Sequence, residues 1–133
     1  FQFIASTWLM IANKHFEKET KDLRVDQVLS LRIDHELARR AAQIYTQTNA
    51  AFLAAQGHTA TFPNLRLAFL VGPGGAARVL SAAQDTPVST LLGASVIAAN
   101  PFMARMTAAP APLFLVARRH VDFKRVCSCC CLP

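Results

Sequence analysis

Between Asp34 and Gly57 the chain has the pattern of one long helix, and that helix constrains what the rest can be. Leu37, Ala41, Ile44, Thr48, Phe52 and Ala55 recur three or four residues apart, which places them on a single helical face. Asp34 stands where a side-chain oxygen can accept from a free first-turn amide, and Gly57 where a left-handed residue can close the last turn. Arg39, Arg40, Gln43 and Gln47 fall on the other faces and are expected in solvent. Tyr45 borders the apolar stripe, either as a core edge or as a phenol lining a cleft. No stretch of the chain alternates apolar and polar residues for more than a few positions, so the expected fold class is all-α.

The remaining segments follow the same grammar. Ser6 is placed to cap a helix entered at Thr7 and Trp8, with Trp8, Ile11, Ala12 and Phe16 on one face. The charged run KHFEKETKD reads as a solvated end or loop. Pro63 suits the first turn of a helix carrying Leu65, Leu67, Ala68, Phe69 and Leu70, apolar nearly all round and therefore buried. Gly72, Pro73, Gly74 and Gly75 predict a tight turn before a further helix from about Ala76 to Ala83. Asp85, Thr86 and Pro87 repeat the cap-and-proline start, and VSTLLGASVIAAN predicts one or two short helices ending at Pro101.

Composition narrows the class of protein. With 133 residues, 53% of them hydrophobic and 17% charged, there is material for one core and a tail. No apolar run reaches the ~18 residues of a membrane span, and the opening shows no signal-peptide pattern. The net charge of +6 is unevenly spread. Residues 1–103 carry nine Lys or Arg against seven Asp or Glu, whereas Arg105, Arg118, Arg119, Lys124 and Arg125 face only Asp122 beyond them. The body thus has an ordinary surface, and no nucleic-acid partner is expected for it.

Sites with familiar chemistry are mostly excluded. GPGGAAR lacks the Lys-Ser/Thr pair and the preceding strand of a phosphate loop. Two helices joined by a glycine turn have the outline of a helix-turn-helix, but AARVLSAAQ offers only Arg78 and Gln84 for base edges. His15, His35, His58 and His120 stand singly without a ligand at metal spacing, so no metal is expected, and no G-x-S-x-G is present.

Two segments carry a resemblance. FQFIASTW resembles the Gln-containing second motif of soluble lytic transglycosylase domains of the lysozyme-like superfamily, written Y-Q-F-I-x-S-T-W in one bacterial branch. LAFLVGPGGAARVL resembles that branch's H-F-L-G-P-G-G-A-A, which stands where other members have A-Y-N-A-G. The LRID helix and TPVSTLLGASVIAANP follow in the same order, so the resemblance covers about residues 1–103. It implies a lysozyme-like helical domain that cleaves the MurNAc–GlcNAc bond of peptidoglycan with a single Glu as acid then base, leaving a 1,6-anhydro end. No cofactor is implied, and the parent protein is expected in the bacterial cell envelope, periplasmic or secreted. By the same resemblance Gln2 hydrogen-bonds the glycan and the turn from Gly72 to Gly74 brings backbone close to a sugar; Phe69, at the family's third motif, and Tyr45, beside the apolar stripe, are expected to contact the substrate as well.

Two departures qualify these expectations. The family's catalytic Glu precedes the Gln motif, so it is expected upstream of Phe1, and the chain as given is expected to be an inactive C-terminal part of the domain. Glu17, Glu19 and Glu36 stand downstream and do not match its position, while Phe69 replaces the family's Tyr or His and cannot form its hydrogen bond. Residues 104–133 are expected to be a poorly ordered Pro/Ala linker and basic tail, non-native in origin. The cysteines of CSCCC are too close in sequence to form a tetrahedral zinc site, and Pro133 excludes prenylation at Cys130. Two other classes remain as alternatives: a non-catalytic helical module that binds glycan or protein, and a small basic nucleic-acid binder using ARRHVDFKR.

Overall fold

The structure, a computed structural model, describes residues 3–109 of the chain. Gln2, the distal linker and the four cysteines lie outside the described residues. The helices are α1 (Ala5–His15), α2 (Glu17–Thr20), α3 (Val25–Ser30), α4 (His35–Ala55), α5 (Phe62–Val71), α6 (Pro73–Ser81), α7 (Val88–Leu91) and α8 (Ala94–Ala99), with 3-10 turns at Leu31–Ile33 and Pro101–Arg105. Among the described residues the only extended pairing noted is an isolated bridge between Pro87 and Thr107. The fold class is all-α, as the periodicity predicts. Two compact units meet in sequence within α4, one ending at Gln47 and the other beginning at Thr48.

The first unit is organised around Trp8. Its side chain is fully buried with Ile11, Ala12, Phe16, Val28 and Ala41, and its indole Nε1 donates to the Val28 carbonyl at 2.7 Å. Val28 lies in the last turn of α3, where carbonyls lack partners within their own helix. The indole therefore finishes α3 and ties it to α1. α1 starts earlier than Ser6 predicts: the Ile4 carbonyl accepts the Trp8 amide at 3.0 Å, Ile4 holds the cap position, and no side chain caps the helix. Ser6 is thus already inside the first turn, without the non-helical backbone from which a cap hydroxyl reaches the amides ahead of it.

The run expected to be a solvated end is pinned by one aromatic. Phe16 is buried between α1 and α2, and Thr20 Oγ1 donates to its carbonyl at 2.8 Å. Arg40, expected in solvent, comes from α4 to place its guanidinium 4.8 Å from the centre of the Phe16 ring while donating to Glu19 at 2.7 Å. An aromatic face and a carboxylate together hold a side chain that the helical wheel alone assigns to water.

Both predicted ends of α4 are found. Asp34 Oδ1 accepts the Leu37 amide at 2.8 Å. At the other end Gly57 has φ 79°, its amide reaches the Ala54 carbonyl and the His58 amide reaches Leu53, which is the paired arrangement of a glycine-closed helix. The predicted stripe, however, fails beyond Ile44. Thr48, Phe52 and Ala55 are exposed, whereas Thr46, Asn49 and Leu53 are buried. Two polar residues occupy inward positions, and an apolar pattern cannot register them.

In the second unit, Thr61 accepts the Asn64 amide at 3.4 Å and Pro63 falls in the first turn of α5. Leu65, Leu67 and Ala68 are buried as expected, Val71 is buried as well, and Phe69 and Leu70 are only half-buried. α7 begins at Val88 with Pro87 in the cap position and no side-chain cap bond, so Asp85 does not serve as predicted. Pro101 opens a 3-10 turn after α8 has ended. The chain then returns along the segment before α7: the Val88 amide donates to the Met106 carbonyl at 2.9 Å, Ala108 to Thr86 at 3.0 Å and Ala109 to Gln84 at 3.1 Å. Residues 104–109, the predicted start of the linker, are joined to the fold by these bonds, and Ala108 is buried.

Candidate functional site

The α5–Gly72–α6 corner is where the sequence concentrates unusual backbone. Gly72 has φ 76° and ψ 158°, closing α5 and opening α6 in a single residue. That conformation is essentially confined to glycine, because a Cβ meets the flanking carbonyl there. The tight turn is therefore one residue long. Pro73, Gly74 and Gly75, predicted to belong to it, form the first turn of α6 instead, since proline is already set at a helical φ and needs no amide hydrogen at a helix start.

The three glycines of this corner have three different environments. A Cβ on Gly75 would stand 3.1 Å from Val71 Cγ2 and 3.2 Å from Leu92 Cδ2, both on buried residues, so a side chain there would press on the close packing of α5, α6 and the end of α7. A Cβ on Gly72 would meet nothing, and only the backbone angle demands glycine. Gly74 has neither reason: it is helical, and the nearest atom to a Cβ there is Arg78 Nη1 at 3.9 Å. Arg78 lies one turn further along α6, donating from Nε to the Leu91 carbonyl at 3.0 Å. Its guanidinium thus finishes α7 and stands beside Gly74.

Of the five residues predicted to contact a ligand, Phe69, Gly72 and Gly74 share this corner in the second unit. Gln2 lies outside the described residues. Tyr45 belongs to the first unit, where its ring meets Phe3 edge-on at 6.0 Å and packs against the Trp8 cluster, the core-edge alternative of its sequence reading. Gly75 and the Leu91-bound Arg78 were not legible, because both roles depend on residues 13 to 17 positions away, beyond any local pattern.

No described carboxylate has the surroundings of a general acid, which must be held protonated near neutrality by burial or a like charge. The buried polar residues are Thr20, Thr46 and Asn49, with no Asp or Glu among them. Glu19 is held below the usual carboxylate range by its hydrogen bond from Arg40. Arg24 does the same to Asp26, and Arg39 to Glu36. His58 Nε2 lies 2.9 Å from Ser81 Oγ, a pair absent from the sequence reading. Ser81 is the last residue of α6, so the neighbouring free backbone groups are carbonyls, which cannot stabilise an oxyanion. The contact works as a clamp between the α4–α5 loop and α6.

Among the described residues no group of three His, Cys, Asp or Glu could hold a metal ion, and no helix is long and apolar enough to cross a membrane. No protein-family model, curated protein or solved structure matches the chain.

Proposed function

We propose that the chain is part of a lytic transglycosylase domain of lysozyme-like type, and that its α5–Gly72–α6 corner holds the glycan strand of peptidoglycan. The carrying observation is Gly74. A glycine in the first turn of a helix is less stable there than alanine, and neither its backbone angle nor its neighbours require the absence of a side chain. A group approaching from outside the chain supplies the missing reason. A sugar ring lying against the bare backbone of Gly74, with the Arg78 guanidinium alongside, fits the open space there.

The order of the two motifs on an all-α chain supports the same reading, as does the place of Trp8, whose core role accounts for the end of the FQFIASTW motif. Because the described carboxylates are exposed or paired to arginine, the described residues would contribute recognition of the glycan and not proton transfer to it. The parent enzyme's setting would be the bacterial envelope.

Sedimentation with purified peptidoglycan sacculi tests this. The chain should pellet with sacculi, N-acetylated chitooligosaccharides should compete it off, and no anhydromuropeptides should be released. A chain that is folded by circular dichroism yet stays wholly in the supernatant would contradict the proposal.

A further inference from the structure

The carboxamide of Asn49 is fully buried on α4, and neither its Oδ1 nor its Nδ2 has a hydrogen-bond partner among the described residues. Such a group is disfavoured twice: asparagine is a poorer helix former than alanine or leucine, and a buried amide without partners loses its hydration with no return. Thr46 is buried on the same helix and resolves the problem by donating to the Ala42 carbonyl at 2.7 Å. Asn49 has made no such bond to its own helix. Leucine at this position would fill a similar volume without either penalty, so the polar atoms call for a guest.

We infer that Asn49 is a binding site for an internal water molecule. The guest must accept from Nδ2 and donate to Oδ1, and water does both in the smallest volume. Full burial excludes a larger solute entering from solvent without the fold opening. The site is independent of the glycan reading and would persist if that reading failed.

The test is nuclear magnetic resonance on the full chain labelled with nitrogen-15. The two Nδ2 protons of Asn49 should exchange slowly with solvent and show cross-peaks to water, with the sign of a contact that outlives molecular tumbling. Asn49→Leu should remove these peaks and leave the remaining backbone spectrum folded, which fixes the assignment. Slowly exchanging Nδ2 protons without water cross-peaks, or with through-bond coupling to a protein carbonyl, would overturn the inference. Fast exchange would overturn it as well, since the carboxamide would then not be buried.

Discussion

Replacing each glycine of the GPGG corner by alanine should give three distinguishable results from three adjacent positions. At Gly72, where φ is 76° and ψ 158°, alanine is forced into a region that only glycine occupies comfortably, at about 1–3 kcal/mol. At Gly75 the added carbon lies 3.1–3.3 Å from Val71 and 3.2 Å from Leu92. Overpacking of that kind costs about 1–3 kcal/mol, and a helical alanine returns about 1 kcal/mol, leaving a net loss of roughly 1 kcal/mol. Gly74 should behave in the opposite way. With only Arg78 Nη1 within 4 Å of the new carbon, at an ordinary contact distance of 3.9 Å, Gly74→Ala should stabilise by about 0.4–1 kcal/mol through the unfolded chain. Thermal melts followed by far-ultraviolet circular dichroism read the order directly, at about 4–8 °C per kcal/mol for a unit of this size. If Gly74→Ala were destabilised as far as Gly72→Ala, the claim that nothing within the chain requires Gly74 would be refuted. Sacculus binding adds a second axis: Gly74→Ala should lose affinity while gaining stability, a combination that a purely structural glycine cannot produce.

Trp8→Phe should destabilise by about 1–3 kcal/mol through the Val28 carbonyl it leaves unmet, measured by urea denaturation with circular dichroism because the chain has one Trp. Asp34→Ala should cost about 0.5–2 kcal/mol as a lost helix cap, read in the same assay. Because Glu19 titrates below its ordinary value, its pairing with Arg40 contributes above the unfolded carboxylate pKa and is lost as pH falls through the lower folded one. Arg40→Met should move the Glu19 carboxyl carbon titration upward, and an unchanged titration would remove Arg40 as the cause.

How far the sequence speaks for the fold depends on how local each signal is. Asp34 and Gly57 act on amides and carbonyls within a turn of themselves, and both were readable. Ser6 looked equally good as a cap, but the helix boundary was set by Ile4, whose carbonyl bonds to the amide of the buried Trp8. The α4 stripe was legible to Ile44 and misleading beyond it, because Thr46 and Asn49 are buried polar residues and a hydrophobic pattern counts them as surface. Phe16 was legible as core, yet the Arg40 and Glu19 that enclose it come from separate helices. At the candidate site the sequence marked Gly72 and Gly74 as unusual without separating them; the positive φ of Gly72 and the open, helical setting of Gly74 show that only the first is required by its own backbone.

The glycan claim is met most directly by titrating the nitrogen-15-labelled chain with N-acetylated chitooligosaccharides and following its amide resonances. The account predicts shifts concentrated from Phe69 to Arg78, with the Gly72 and Gly74 amides moving most and the amides of α2 and α3 unmoved. A saturating titration that leaves the 69–78 amides in place would contradict it.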